Sequence, residues 1–371
     1  MQKKSIILLV LVLIIPVLIF LLISTQSPKT SPFEEDSLIQ CNSLIYNSED
    51  KINLLFFSSE NEAVEYSSEL FSFYPLNENK EEFNIYYIEP SVYEPECEIY
   101  QNIAILCYSK SIIKTASSCP NDYIFVLKSE SSEIRSSSYM NVVSINKNHQ
   151  KSVIAHEFGH SFANLAEEYT PATLPLKSKN CVSECNKFDS LNEGCYEGCS
   201  KTDYFRSINS GIMRTLSSKS YGAFNSFLIS EKISKFKRIT GNVVSENDFN
   251  SCLDKEYYLI SGLYNIETET ININSKTLDI GCVGSSGSGP FEYSINNIDG
   301  STLGSGEFNP EFIFTDAQDS NDEQISGGVF NSNHEFILKI PVLKQADKLS
   351  ISKEDKLLAE VELKDIGARP C

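Results

Sequence analysis

Two of the four histidines in this 371-residue chain lie in one short segment, His156-Glu157-Phe158-Gly159-His160. On an α-helix, residues four positions apart project from the same face, so both imidazoles can reach a single metal ion. Glu157 would then point toward the open side of that ion, where a carboxylate can accept a proton from water. The pattern predicts a catalytic zinc site, with His156 and His160 as ligands and Glu157 as general base. The alternative is a core helix with two hydrogen-bonded histidines.

The residues around this segment predict the helix that the site requires. Apolar residues recur at spacings of four, four and three, and the histidines belong to a second stripe at similar spacing. The apolar stripe is Ile154, Phe158, Phe162 and Leu165, and the second is His156, His160, Ala163 and Glu167. We therefore expect an amphipathic helix that buries one face and presents the histidines on another.

A third protein ligand is expected, because a catalytic zinc ion usually has three and leaves the fourth position to water. No histidine follows shortly downstream, and the nearest acidic pair is Glu167-Glu168. In a straight helix Glu167 would lie about 16 Å along the axis from His156, beyond the reach of any side chain. The helix must therefore end after His160, and Asn164 is a suitable point because asparagine tolerates the left-handed conformation. We favour Glu167 as the third ligand, with Glu168 as the alternative.

The same residues carry a resemblance to a known family. The run His156 to Phe162, followed by Leu165 to Tyr169, resembles the HEFGHSF…LADEY motif of the IgA-peptidase-type zinc endopeptidases, which are metzincin-like enzymes. The likeness extends from about residue 50 to the end of the chain and is most specific around the motif. This chain has Glu167 where the family has aspartate and Asn164 where glycine is usual.

The resemblance implies a metzincin-like peptidase fold, a Zn²⁺ cofactor and a protein or peptide substrate. It also implies that Met213, in Ser210-Gly211-Ile212-Met213-Arg214, forms a turn beneath the histidines and precedes a helix, for which Tyr221 to Arg238 is the candidate. The strand Tyr139 to Ile145 is then expected at a sheet edge, where it would pair with the substrate backbone. A gluzincin-like site with its third glutamate on a later helix is a less favoured alternative.

The first 24 residues predict the location of the protein. Lys3 and Lys4 precede the uncharged, apolar segment 5–23, which as a helix would span about 28 Å, enough to cross a bilayer. We expect a signal anchor over 1–24, a tether over 25–36, and a single-pass membrane protein with its catalytic part outside the cytoplasm. Secretion after signal cleavage is the alternative.

Eleven cysteines fit an oxidising compartment. The spacing of Cys181, Cys185, Cys195 and Cys199 predicts a hairpin of two helices joined by Cys181–Cys199 and Cys185–Cys195, and a four-thiolate zinc site is the alternative. The pairing of the other cysteines cannot be assigned from spacing. An odd total leaves at least one cysteine unpaired or in an intermolecular disulfide, and Cys371 is a candidate.

The net charge of −19 argues against nucleic acid as a partner. The remaining length predicts two domains, a zinc metallopeptidase domain over 37–245 and a β-sandwich of immunoglobulin-like type over 246–371, whose strands alternate polar and apolar residues. The expected fold class is thus α+β, a metzincin-like domain followed by an all-β domain, with an N-terminal transmembrane helix.

The sequence as a whole predicts a membrane-anchored, extracytoplasmic zinc endopeptidase. The rival hypothesis is a non-catalytic surface adhesion or binding protein with a metallopeptidase-derived domain. Glu157 favours the enzyme, because a protein that no longer hydrolyses peptides has no need of the general base.

Overall fold

The computed structural model describes residues 38–191, 193–236, 252–315, 328–329 and 333–363. Within these ranges the α-helices are α1 (Glu60–Leu70), α2 (Lys110–Ala116), α3 (Val153–Ala163) and α4 (Ala223–Lys235). The strands are β1 (Asn42–Ile45), β2 (Ile52–Phe57), β3 (Phe83–Ile88), β4 (Glu98–Tyr100), β5 (Ala104–Leu106), β6 (Tyr123–Lys128), β7 (Ser137–Tyr139), β8 (Val142–Asn146), β9 (Tyr196–Cys199), β10 (Lys201–Arg206), β11 (Glu256–Asn265), β12 (Thr270–Ile280), β13 (Phe291–Asn297), β14 (Thr302–Phe308), β15 (Ile313–Thr315), β16 (Gly328–Val329), β17 (Asn333–Pro341), β18 (Ala346–Lys353) and β19 (Lys356–Glu362). Short 3₁₀ helices cover Leu76–Glu78, Lys80–Glu82 and Cys185–Leu191.

An eight-stranded mixed sheet supports the predicted site. Its strand order is β1-β3-β2-β6-β8-β7-β15-β16, and its central strands β3, β2, β6 and β8 run parallel. These strands are nearly continuous apolar runs because both faces of the sheet are covered. Phe56 and Phe125 lie against α1, α3 and α4 on one face, whereas Leu55 and Ile124 lie against α2 and strands β11 and β17 on the other.

Helix α3, which carries both histidines, is buried along almost its whole length. Residues 153–162 are all buried, including His156, Glu157 and His160. The apolar stripe faces the sheet as expected, with Phe158 against Tyr123 and Phe125. The expectation that the histidine face would remain exposed is wrong, because other parts of the chain cover it.

The strand predicted over Tyr139 to Ile145 is divided in two. Met140 has a positive φ of 55°, which ends β7 and allows the chain to turn into β8. Strand β8 lies inside the sheet between β6 and β7 and therefore has no free edge. The edge of β7 is also occupied, because β15 from the C-terminal part of the chain pairs with it in antiparallel orientation.

The C-terminal part forms two antiparallel sheets, β12-β11-β17 and β14-β13-β18-β19. Their inward-facing side chains share one apolar core, which includes Ile260, Phe291, Phe336 and Leu349. Strand β17 alternates exposed and buried residues only over 333–336, and residues 336–341 are all buried, so the half-buried strand predicted from its sequence is wrong. Its second face is covered because Ile337 packs with residues of the mixed sheet. The two-domain division near residue 246 and the immunoglobulin-like type stay predictions.

The expected fold class needs one correction. Of the described residues, 36% lie in strands and 18% in helices, which is compatible with the α+β class but makes the chain mainly β. The transmembrane helix of the expected fold class is not found in the described ranges, where no helix is long and apolar enough to cross a membrane. The residues for which it was predicted, 1–24, and the tether over 25–36 lie outside the described ranges.

Five disulfides link ten of the eleven cysteines and are typical of an extracellular or secreted protein. The predicted pairs Cys181–Cys199 and Cys185–Cys195 are confirmed, which rules out the four-thiolate zinc site. The two helices expected there are wrong: Cys185 begins a 3₁₀ helix, Cys199 ends strand β9, and the other two cysteines lie outside regular elements. Gly198 of β9 has a φ of +81°, which no α-helix accommodates. The remaining pairs are Cys41–Cys119, Cys97–Cys107 and Cys252–Cys282, and Cys371 lies outside the described residues.

A buried lysine between the mixed sheet and the C-terminal sheets gives a prediction for stability. Lys339 donates to Asn121 Oδ1 at 2.7 Å and to the Cys282 carbonyl at 3.3 Å, and burial lowers its pKa from 10.5 to about 7. Between about pH 7 and pH 10.5, Lys339 is neutral in the folded chain but still protonated in the unfolded chain. The free energy of unfolding therefore rises with pH over this range. We expect Lys339→Met to abolish this rise, which amounts to about 2 kcal/mol between pH 7 and pH 9.

Urea denaturation of the parent and Lys339→Met at several pH values measures this difference. Other titrating groups cancel in the comparison, because both chains carry them. Parallel pH profiles for the two proteins would contradict a neutral Lys339.

Candidate metal centre

Helix α3 ends where the sequence predicted. Asn164 adopts the left-handed conformation, with φ 50° and ψ 38°, and its backbone N–H closes the last helical turn on the Gly159 and His160 carbonyls. The Leu165 N–H also bonds the Gly159 carbonyl, at 3.3 Å. This reversal turns the chain back along the helix, so that residues 165–168 lie beside the histidines instead of beyond them.

The reversal brings Glu167 into contact with both histidines. The distance between His156 Nε2 and His160 Nε2 is 3.1 Å, and Glu167 Oε1 lies 3.1 Å from His160 Nε2 and 3.4 Å from His156 Nε2. All three side chains are buried. Three potential ligand atoms therefore converge on one point, and among the described residues this is the group suited to hold a metal ion.

The backbone fixes which nitrogen of each imidazole faces that point. His156 Nδ1 lies 2.9 Å from the Ile212 carbonyl and His160 Nδ1 lies 2.5 Å from the Leu165 carbonyl. Since a carbonyl can only accept, each Nδ1 must be the donor, which leaves each Nε2 as the atom available to a ligand. Hydrogen bonds of this kind also orient the histidine ligands of metal ions in other proteins.

The chemistry of the three converging atoms fits a bound cation. Two Nε2 lone pairs and a carboxylate oxygen would repel one another, and a single proton can satisfy only part of the cluster. A divalent metal ion would satisfy all three atoms at once. Two imidazoles and one carboxylate suit zinc, and the same set also suits iron(II).

The electrostatics of the cluster agree with this interpretation. Burial by itself would lower the pKa of His156, but the adjacent carboxylates of Glu167 and Glu157 outweigh it and raise that pKa to about 10. Burial lowers the pKa of His160. Burial would raise the pKa of Glu167, yet the two histidines hold it at about 2. Without a metal ion, the cluster is therefore a carboxylate that shares one proton with a histidine pair.

Glu157 and Met213 both lie next to the histidine helix positions that form the cluster. Glu157 is fully buried, and its carboxylate is close enough to His156 to raise the pKa of that residue. Met213 packs against Gly159 beneath the helix, where a Cβ atom on residue 159 would lie 2.8 Å from the methionine sulfur. The turn before helix α4 supplies the Ile212 carbonyl that orients His156, so it helps to form the site.

Glu168, the alternative third ligand, points away from the histidines. Its Oε1 accepts from Asn225 Nδ2 of helix α4 at 2.7 Å and from Asn180 Nδ2 at 3.4 Å, and its backbone N–H bonds the Met213 carbonyl at 2.9 Å. Burial raises its pKa to about 7. Glu168 therefore links the Glu167 segment to helix α4 and to the turn that holds Met213.

Two polar residues next to a disulfide hold the Glu167 segment in place. Asn180 accepts from the Ala166 N–H at 2.7 Å and donates to the Ala166 carbonyl at 2.9 Å, and Ser200 Oγ donates to the Glu167 carbonyl at 2.8 Å. These residues directly flank the buried disulfide Cys181–Cys199. The disulfide thus fixes the spacing of two groups that position the carboxylate of Glu167.

We expect Asn180→Ala to weaken zinc binding by about 10- to 100-fold, which is typical when a group that orients a metal ligand is lost. Competition with a chelator of known affinity measures this change. Asn84→Ala is the matched control, because Asn84 is also fully buried and hydrogen-bonded, but its side chain donates to Ser48 and Asn53 instead of to the Glu167 segment. Equal zinc affinity in the two variants would show that Asn180 only supports the fold.

Four further side chains belong to the site although the sequence does not indicate them: Asn180, Ser200, Asn225 and Phe314. Phe314 of β15 stacks on the His160 ring, with centroids 4.2 Å apart and an angle of 15° between the planes. None of the four belongs to a motif, and each reaches the cluster through folding of distant segments. The sequence contains no local signal that would have indicated them.

Comparison with known proteins adds no further indication of function. No protein-family model matches the chain, and none of the curated proteins matches it. The resemblance to IgA-peptidase-type endopeptidases therefore depends on the residues of the motif and stays a prediction.

Proposed function

We propose that this protein is an extracytoplasmic zinc-dependent endopeptidase that hydrolyses peptide bonds in protein substrates. The observation that carries the proposal is the convergence of His156 Nε2, His160 Nε2 and Glu167 Oε1 next to the buried carboxylate of Glu157. A third acidic ligand, a left-handed helix end and a methionine turn accompany the two histidines. The combination supports a peptidase site better than any one of these features.

The roles of the residues follow from their chemistry. His156, His160 and Glu167 would hold the ion, oriented by the Ile212 and Leu165 carbonyls. When bound, zinc supplies a Lewis acid that polarises a carbonyl and makes water more acidic. Glu157 accepts the proton of the attacking water and passes it to the departing amine. The low dielectric around these buried groups strengthens each of these electrostatic interactions.

One observation favours a second candidate function, that of a surface adhesion or binding protein. The three proposed ligands and Glu157 are each no more than 1% exposed, as expected if the metal ion only stabilised the fold. The protein would then be a surface adhesion or binding protein. In that case zinc would raise the free energy of unfolding without any hydrolysis.

Metal content and proteolysis of the purified protein distinguish the two functions. We expect about one zinc per chain, cleavage of casein, loss of cleavage on chelation and its recovery on addition of zinc. Iron instead of zinc, or no metal after reconstitution of the folded protein, would refute the proposal. Stoichiometric zinc with no cleavage of any peptide in a diverse library, by the parent and by a Phe314→Ala variant that uncovers His160, would favour the binding protein.

A further inference from the structure

A short strand from the C-terminal part of the chain covers the candidate site. Strand β15 pairs with β7 through Phe314 opposite Ser138 and Thr315 opposite Ser137. Phe314 lies flat on His160, and the Tyr139 hydroxyl of β7 lies 3.1 Å from the Pro310 carbonyl, just before β15, and 2.7 Å from the Glu335 carbonyl. The strand therefore lies between β7 and β16 in the mixed sheet and packs on helix α3.

This arrangement closes the site to a polypeptide. Ile313, Phe314 and Thr315 are buried together with the cluster that they cover. A peptide substrate needs backbone hydrogen bonds that hold it beside the metal ligands, and the edge of β7 is where a strand can make them. Strand β15 already makes them.

We propose that β15 occupies the place of the substrate, so that this conformation is a latent form of the peptidase. The edge of β7 is then a binding surface for an extended polypeptide that runs antiparallel to β7. Its side chain at the position of Phe314 is aromatic or large and apolar, since it must cover the same face of His160. This inference rests on the proposed peptidase function. It adds the class of substrate and the element that regulates access to the site.

The shape of β15 suits an element that is displaced. It has three residues, and its registered pairs with β7 involve two of them, whereas β8 pairs with β6 over five residues and with β7 on its other side. Its other partner, β16, has two residues. Short strands with few backbone hydrogen bonds open at lower free energy than central strands. A competing strand can therefore replace β15 while the rest of the sheet remains intact.

The test uses the full chain loaded with one equivalent of zinc. Phe314→Ala removes the ring that covers His160, and Phe308→Ala is the matched control, since it deletes an equally buried phenyl from the core of the C-terminal sheets. Because this variant populates the open state more than the parent does, we expect both of its rates to be about tenfold higher or more: the rate of zinc transfer to a chromogenic chelator and the rate of casein cleavage. The control should match the parent. A synthetic peptide of residues 310–315 should inhibit the opened variant, and a scrambled peptide should not.

Hydrogen exchange in the parent gives a second test that needs no substitution. We expect the amides of 313–315 to exchange faster than those of β6 and β8. Equal protection of these strands, together with unchanged zinc transfer in Phe314→Ala, would overturn the proposal. Faster zinc transfer without cleavage would support the covering role of β15 while refuting the peptidase, so the two failures can be told apart.

Discussion

Substitution of Glu167 by glutamine is expected to reduce zinc affinity by more than about 100-fold, the upper end of what loss of an orienting group costs. Glutamine has the shape of glutamate, so the fold is retained, but it lacks the charge. It would also turn its NH₂ group toward the two Nε2 lone pairs, which now approach Glu167 Oε1 at 3.1 and 3.4 Å. Those hydrogen bonds would stabilise the metal-free state and compete with zinc.

Glu168→Gln is the matched control, because Glu168 is equally buried and adjacent in sequence. Its carboxylate accepts hydrogen bonds from Asn225 and Asn180 and does not contact the histidines. Because burial raises its pKa to about 7, a large fraction of Glu168 side chains is already protonated and neutral at pH 7. We expect this variant to bind zinc nearly as tightly as the parent in chelator competition. The opposite result, loss of zinc in Glu168→Gln and retention in Glu167→Gln, would identify Glu168 as the ligand.

The parts of the site that the sequence could predict are those that depend on local geometry. The spacing of His156 and His160 is a property of any α-helix, and the left-handed conformation of Asn164 is one that asparagine adopts more readily than most residues. The choice between Glu167 and Glu168 is different. It depends on how the chain runs after Asn164, and Asn180 and Ser200 determine that path from a separate segment.

The same distinction applies to the fold. Apolar runs in the sequence predict strands over 52–57, 83–88 and 123–127, and β2, β3 and β6 match these ranges to within one residue. Strands buried on both faces have few alternative conformations. The division of the predicted strand 139–145 was not predictable, since a positive φ at a methionine has no signal in the sequence. The pairing of β15 with β7 joins segments that are distant in the chain, and the sequence of neither strand indicates which strand it pairs with. Such long-range pairings explain why the histidine face was expected to be open.

Substitution of Glu157 by glutamine tests the second half of the mechanism, in which a side chain moves protons. Glutamine cannot accept the proton of water, so kcat should fall by about 10²- to 10⁴-fold, the usual contribution of a general base. Zinc affinity should change little, because Glu157 is not among the three converging atoms.

Zinc affinity and casein cleavage, measured on the same variant, show whether Glu157 acts as the general base or as a metal ligand. Loss of cleavage with zinc retained would assign it to proton transfer, whereas joint loss of zinc and cleavage would place it in the metal site. Casein cleavage by Glu157→Gln at the rate of the parent would exclude it as the base. If β15 limits access of the substrate, the comparison should be repeated in the Phe314→Ala background, where chemistry limits the rate and the full effect of Glu157 is expressed.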